Sequence, residues 1–453
     1  MRILGLGSLL AAMLAIAAEP ARSAGSTTSA AREQGWLIGS AAELQAAPPP
    51  ADSAGELHGL KAVLAKRSAA DMDSIAWWDA GGPAYRWNEI AIETMLEQFV
   101  TLPLAARHLA LLHTAIDDAV SAAWTDKRRF KRPRPSQVDP SIAAALPTPA
   151  SPSYPSDFAA AAAAAAGVLG YLFPDRAEAF ANQANEAMQS RVLAGLEYPS
   201  DLAAGRAVGQ KVAALAIQRG KADGSDAKWT ESVPQGLGKW QGTNPIAPLA
   251  GTWRPWVLAR VDEFRPPPPP AYDSEVAKQA LVELKAYKRT PQSNHRATYW
   301  EVFGGARAHA LWNDMARMKL LESGASIDAP TSARVLAALN VAFTDAAIAC
   351  WDAKFAYWYI RPSQLDAELK TVFPPPNHPS YPAAHGCLST AAATVLAGAF
   401  PRDRERLLTL GKQAAEARVW AGIHYRFDIE AGEELGRKVA EKVMARSFAS
   451  RSQ

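Results

Sequence analysis

Lys354, Arg361, His385, Arg418, His424 and Asp428 follow one another in the second half of the chain with the types and spacing of a site for a tetrahedral oxyanion. Guanidinium forks bind phosphate-like oxygens bidentately, and a lysine adds a point charge. An imidazole among three cations supplies a ligand or nucleophilic nitrogen, and a second one, His385, a proton donor. Asp428, four residues after His424, suits a carboxylate that orients the ring through Nδ1 and leaves Nε2 free. Singly these residues are ordinary, since most surface cations are solvated and most lone histidines are hydrogen-bonded core residues. Their joint order is what points to chemistry. A GxxxxGK[ST] loop and an HExxH motif are both missing, so neither a nucleotide P-loop nor that zinc site is expected.

These side chains need elements that bring them together. Residues 354 and 361 are seven apart, two helical turns, so a single helix would place both on one face, with Pro362 just beyond its end. His424 and Asp428 at four-residue spacing would likewise share a face. Arg418 would not in an unbroken helix, so a break near Gly422 is expected.

The chain also repeats itself. Trp124, Lys127, Arg134-Pro135-Ser136-Gln137 and Pro152-Ser153-Tyr154-Pro155 recur as Trp351, Lys354, Arg361-Pro362-Ser363-Gln364 and Pro379-Ser380-Tyr381-Pro382, all at an offset of 227. Arg191, Tyr198 and Asp201 recur as Arg418, Tyr425 and Asp428, and Trp87-Asn88 pairs with Trp312-Asn313 at 225. Two homologous halves, 76–220 and 291–448, follow. In the first, Phe158 stands for His385 and Glu197 for His424. A carboxylate among its cations would pair with them internally, so this half reads as a degenerate, structural copy. Within the halves, Ala, Leu, Glu, Arg and Lys dominate, with apolar residues at three- and four-residue spacing and no period-two alternation. The expectation is all-α: two helical bundles joined by a Pro/Gly/Trp-rich linker, 221–290, after an N-terminal extension, 25–75. Trp229, Trp240, Trp253 and Trp256 in the linker would cover a pocket mouth or pack onto the bundles.

Composition bounds the rest. The 453 residues, 49% hydrophobic and 21% charged, carry a formal charge of +3, without the basic excess expected of a nucleic-acid binder. Two cysteines, Cys350 and Cys387, exclude a disulfide scaffold. Both fall near the site, and two buried free thiols are favoured over a bridge. Residues 1–24 read as a signal peptide, with one Arg, an apolar run from Ile3 to Ala18 and small residues before Ala24. A periplasmic or secreted protein without stable membrane insertion is expected, the alanine-rich stretch Phe158–Phe173 being read as a buried helix.

Lys354-x6-Arg361-Pro362, then Pro382-Ala-Ala-His385, then Arg418-x5-His424-x3-Asp428 resembles the three-part signature of the type 2 phosphatidic acid phosphatase and vanadium-dependent haloperoxidase superfamily. Length, the leader and the duplicated halves look more like its soluble haloperoxidase branch, as do Trp87-Asn88, the run Trp351-Asp352-Ala353-Lys354, and Phe264-Arg265 before a proline run. The resemblance implies vanadate as cofactor, bound through His424, with Lys354, Arg361 and Arg418 neutralising its oxygens. It implies that His385 handles the proton, that Asp428 holds His424, and that Trp351 and His378 line the pocket, with hydrogen peroxide and halide as substrates. In a phosphatase, His424 would instead attack the phosphorus of a phosphate monoester, with no cofactor; an inactive oxyanion-binding relative is the third reading. One departure stands out: the family usually has Pro-Ser-Gly-His where this chain has Pro382-Ala383-Ala384-His385, so one hydroxyl donor is missing.

Overall fold

Ser68, Ser156, Ser274 and Thr290 cap helices through their side-chain oxygens, and prolines sit in the first turns of several others, where a missing N–H costs nothing. The resulting chain is all helical. A computed structural model describes residues 35–305, 307–324 and 328–448, and among these there is no strand, only a lone bridge between Lys239 and Tyr359. The signal peptide expected over 1–24 lies outside the described residues.

The first copy contains α1 (Ala54–Leu64), α2 (Ala69–Asp79), α3 (Tyr85–Glu97), α4 (Leu102–Phe130), α5 (Pro135–Val138), α6 (Asp157–Leu172), α7 (Ala177–Leu193) and α8 (Pro199–Lys221). The second repeats them as α9 (Glu275–Ala286), α10 (Pro291–Val302), α11 (Ala308–Glu322), α12 (Ala329–Tyr357), α13 (Pro362–Leu365), α14 (Ala384–Ala399), α15 (Arg404–Ala421) and α16 (Arg426–Ser447). The equivalence therefore reaches beyond 76–220 and 291–448. α1 and most of α2 fall in the expected N-terminal extension, and α9 in the expected linker.

The arms ahead of α1 and α9 are equivalent too. Asp118 accepts the backbone N–H of Trp36 and Leu37, and Asp345, at the matching position, those of Trp256 and Val257. Tyr154 then donates to the Ala47 carbonyl and Tyr381 to that of Pro267. The Trp36 and Trp256 rings meet edge to face, so the two arms touch each other. Between the copies, Trp240 and Trp253 are buried and Trp229 packs near Trp358, so these tryptophans pack onto the bundle.

α4 and α12, each 29 residues, pack against one another at the centre. α12 is long and apolar enough to cross a membrane, a property the sequence reading had not assigned to it, but 94% of its most apolar window is buried in the protein. The alanine-rich α6 is buried as expected. A polar seam runs beside the central pair: Asn88 donates to Asn313, Asn313 and Asn340 exchange amide hydrogen bonds, and Asn88 Nδ2 lies 2.7 Å from His113 Nε2. All four are buried, and they tie α3 and α4 to α11 and α12 at sequence-equivalent positions.

Candidate active site

Lys354 lies in the last turn of α12 and is fully buried, but Arg361 does not continue its helix. Trp358 takes a left-handed conformation, φ 52°, which stops α12, and Arg361 becomes the N-cap of the short α13. The expectation of one shared helical face is thus corrected: a left-handed turn, invisible in a seven-residue spacing, re-aims the chain. α4 ends the same way at Lys131, φ 50°. Lys354 Nζ donates to the carbonyls of Pro379, Ser380 and Pro382, so in this state it braces the loop before α14.

The expected break at Gly422 is present: α15 ends at Ala421 and Gly422 has φ 77°, a conformation glycine adopts without steric cost. Arg418 and His424 are brought onto one cavity this way. His424 itself lies before α16 rather than on it. Its contact with Asp428 is not the helical i,i+4 pair expected but a consequence of capping, since Asp428 sits in the first turn and also accepts from the Tyr425 N–H.

The geometry around His424 is nonetheless the one that spacing suggested. Asp428 Oδ2 lies 2.9 Å from Nδ1, and Ser380 Oγ donates to the same oxygen at 2.6 Å. Arg361 Nη1 lies 2.9 Å from Nε2. Because a guanidinium only donates, Nε2 is the acceptor and the proton sits on Nδ1, facing the carboxylate. Burial, helped by Arg361 and Lys354, holds the His424 pKa well below the ordinary imidazole range, so the ring is neutral at pH 7. Burial does the same to His378 and His385. It raises Asp428 to about 6 and lowers Lys354 to about 8.

His385, in the first turn of α14, donates from Nε2 to the Trp300 carbonyl at 3.0 Å. Trp351 packs on His378, with ring centroids 5.4 Å apart, and donates to the Ile246 carbonyl of the linker. His378 also lies 3.1 Å from Arg361 Nη2. His378, His385, Arg418, His424 and Trp351 line one cavity of about 410 Å³, and Lys354 and Arg361 stand behind it. Cys350 and Cys387 are buried free thiols, the favoured expectation.

Sequence reasoning missed Glu301, at the end of α10. It lines the cavity and pairs with Arg418 at 2.5 Å. Asp79, at the end of α2, pairs with Arg191 in the same manner. Trp78-Asp79 and Trp300-Glu301 are related by an offset of 222, a signal too short to find without the helices. The loop joining α3 to α4 also borders the cavity, and no motif marks it.

In the first copy the cations are neutralised from within. Lys127 Nζ is 3.6 Å from Asp157, Arg134 is 3.6 Å from Glu197, and Arg191 lies over the Phe158 ring at 4.3 Å. In the second copy Ala384 replaces Asp157 and His424 replaces Glu197, so among the described residues Lys354 and Arg361 form no ion pair. Two buried cations are left with Asp428 as the nearby carboxylate, and such an excess of positive charge favours an incoming anion.

The profile of the PAP2 superfamily matches the chain twice, over residues 108–223 and 334–445. Among solved structures, a bacterial vanadium-dependent iodoperoxidase is similar with a TM-score of 0.62 and 23% identity, over 80% of this chain and 96% of that one. The holo-type bacterial vanadium-dependent chloroperoxidase gives 0.56 and 16%, over 77% and 93%, and its apo-type 0.54 and 16%, over 76% and 94%. At these identities the likeness establishes the fold. No curated protein matches by sequence.

Proposed function

Because the chain belongs to the PAP2 superfamily, with the full set of site residues in its second copy alone, we propose that it is an exported, vanadate-dependent haloperoxidase-like enzyme that oxidises halide with hydrogen peroxide. The observation that carries this reading is the pair of buried cations, Lys354 and Arg361, left without the carboxylates that neutralise their counterparts in the first copy. The residues present fit an oxyanion: Arg418 Nε is buried without a hydrogen-bond partner, and His424 Nε2 is an unprotonated nitrogen beside a guanidinium. His424 and Arg418 would hold vanadate from the cavity wall, with Lys354 and Arg361 adding positive charge from behind it. When bound, vanadate supplies a Lewis-acidic centre that activates peroxide towards halide. Asp428 keeps the His424 proton on Nδ1, and Ser380 fixes Asp428. His385, neutral and with Nε2–H committed to the Trp300 carbonyl, takes and returns a peroxide proton at Nδ1. Trp351 and His378 form the wall beside it.

A second reading, an exported acid phosphatase in which His424 Nε2 attacks the phosphorus of a monoester, is favoured by Ala383, whose side chain offers no hydroxyl to support peroxide activation. Both are tested by one comparison of the purified protein with and without orthovanadate, measuring bromination of a phenolic dye in peroxide and hydrolysis of a chromogenic phosphate. Bromination that requires vanadate and vanishes in His424→Ala is the expected result. Phosphate hydrolysis that vanadate inhibits would replace the first reading by the second, and full activity of His424→Ala in either assay would remove the site assignment.

A further inference from the structure

Phe99 lies where the fold offers a cheaper residue. It follows the C-cap of α3 with φ 51°, its N–H bonded to the Leu96 carbonyl and that of Val100 to Met95, the hydrogen-bond pattern of a helix closed by a left-handed residue. Glycine usually fills this position because a Cβ there is strained. The second copy shows that ordinary solution: Gly324, φ 70°, follows α11 with its N–H on Leu321. The first copy instead places a phenyl ring that is 87% exposed and lines the cavity of the other copy's site, so it stands at the opening. A strained residue presenting exposed apolar surface at a cavity mouth is a signature of a ligand contact.

The cavity supports this. Its 410 Å³ is several times what a four-oxygen anion needs, given about 30 Å³ per water-sized group, and falls in the range of sites for small organic molecules. Its lining combines polar side chains, Arg307 and His309 as well as the site residues, with an apolar stretch of Met95, Leu96, Phe99, Val100, Leu102 and Pro103 contributed by the first copy.

We propose that this chamber binds an apolar aromatic molecule of about two rings against the 95–103 wall, and that the oxidised halogen is delivered to it in place rather than released. The inference rests on the peroxidase reading for its second half. The balance is R–H + X⁻ + H₂O₂ + H⁺ giving R–X + 2 H₂O: peroxide is reduced, the halide is oxidised, a C–X bond replaces C–H, and the ring proton leaves to solvent.

The test uses 2-naphthol. Calorimetric titration of the full chain should show binding, and Phe99→Gly should weaken it about tenfold while melting at or above the parent temperature, because the strained φ is relieved. Val100→Trp, which fills the wall, should weaken it at least as much. In peroxide, bromide and orthovanadate, free 2-naphthol should be brominated and the same naphthol coupled to dextran, too large to enter, should not. Equal bromination of both would overturn delivery in place. Unchanged naphthol affinity in Phe99→Gly and Val100→Trp would overturn the chamber. If neither naphthol is brominated, the peroxidase reading and in-place delivery fall together, and the titration alone decides the binding site.

Discussion

Replacing Ala383 by serine tests the equivalence of the two copies at the point where the second lacks a hydroxyl. Ala383 is the N-cap of α14, fully buried and without a side-chain cap. Its counterpart is Ser156, the N-cap of α6, whose Oγ accepts from the Ala159 N–H at 3.0 Å. In Ala383→Ser the same geometry would place Oγ on the Gly386 N–H, a cap worth about 1 kcal/mol. In a protein of this size that corresponds to a rise of roughly 1–2 °C in melting temperature. Because Oγ accepts in the cap, its proton stays available for an anion oxygen. One such hydrogen bond is worth about 1 kcal/mol, or about fivefold in affinity. Thermal unfolding and calorimetric titration with orthovanadate measure the two effects separately. A melting temperature that rises while affinity stays constant would show that residue 383 does not face the anion; one that falls would show that copy two has no room for the hydroxyl and that positions 156 and 383 are not equivalent.

Arg361→Ala and Arg418→Ala should abolish orthovanadate binding, whereas Arg134→Ala should leave it intact and cost about 3–5 kcal/mol of stability by stranding the buried Glu197, as titration and denaturant unfolding would show. Orthovanadate affinity, corrected for the ligand's own ionisation, should plateau between pH about 6, where Asp428 gains a proton, and about 8, where Lys354 loses one. Stability should fall as pH drops through the unfolded imidazole range near 6.5. His378, His385 and His424 are held well below that value by burial, and His108 and His113 lie at about 3, so the unfolded chain binds more protons there; Asp428 and Asp345, both raised to about 6 by burial, work in the opposite direction, as do the raised carboxyls of Glu197, Asp201 and Glu433, and melting at pH 5 and 7 checks the sum. Asn313→Ala should cost about 2–4 kcal/mol in denaturant unfolding, since it strands the amides of Asn88 and Asn340 in the seam.

The helical class was legible from apolar residues at three- and four-residue spacing, and the duplication because site and core residues recur at an offset of 227, shifting to 225 at Trp87-Asn88. The break at Gly422 was legible because only a reversal there reconciles Arg418 with His424. The link from Lys354 to Arg361 was misread: the turn between them depends on Trp358 in a left-handed conformation, and tryptophan carries no turn signal. The arms were missed for another reason. Asp118 and Asp345 grip them by backbone N–H groups, so most arm side chains are free to diverge and the repeat fades from the sequence. The 95–103 wall left no trace because apolar loop residues have no spacing rule.

The seam between α4 and α12 joins two homologous halves through sequence-equivalent residues, and the chain between the copies, 222–255, could extend to roughly 100 Å if released. Nothing in the seam distinguishes a half of the same molecule from the same half of another. At high concentration, refolding is therefore a competition between closing within one chain and exchanging halves between two, and an exchanged dimer would retain the contacts of the seam. Because the site draws its chemistry from one half and its apolar wall from the other, such a dimer would carry two complete sites, each assembled from both polypeptides.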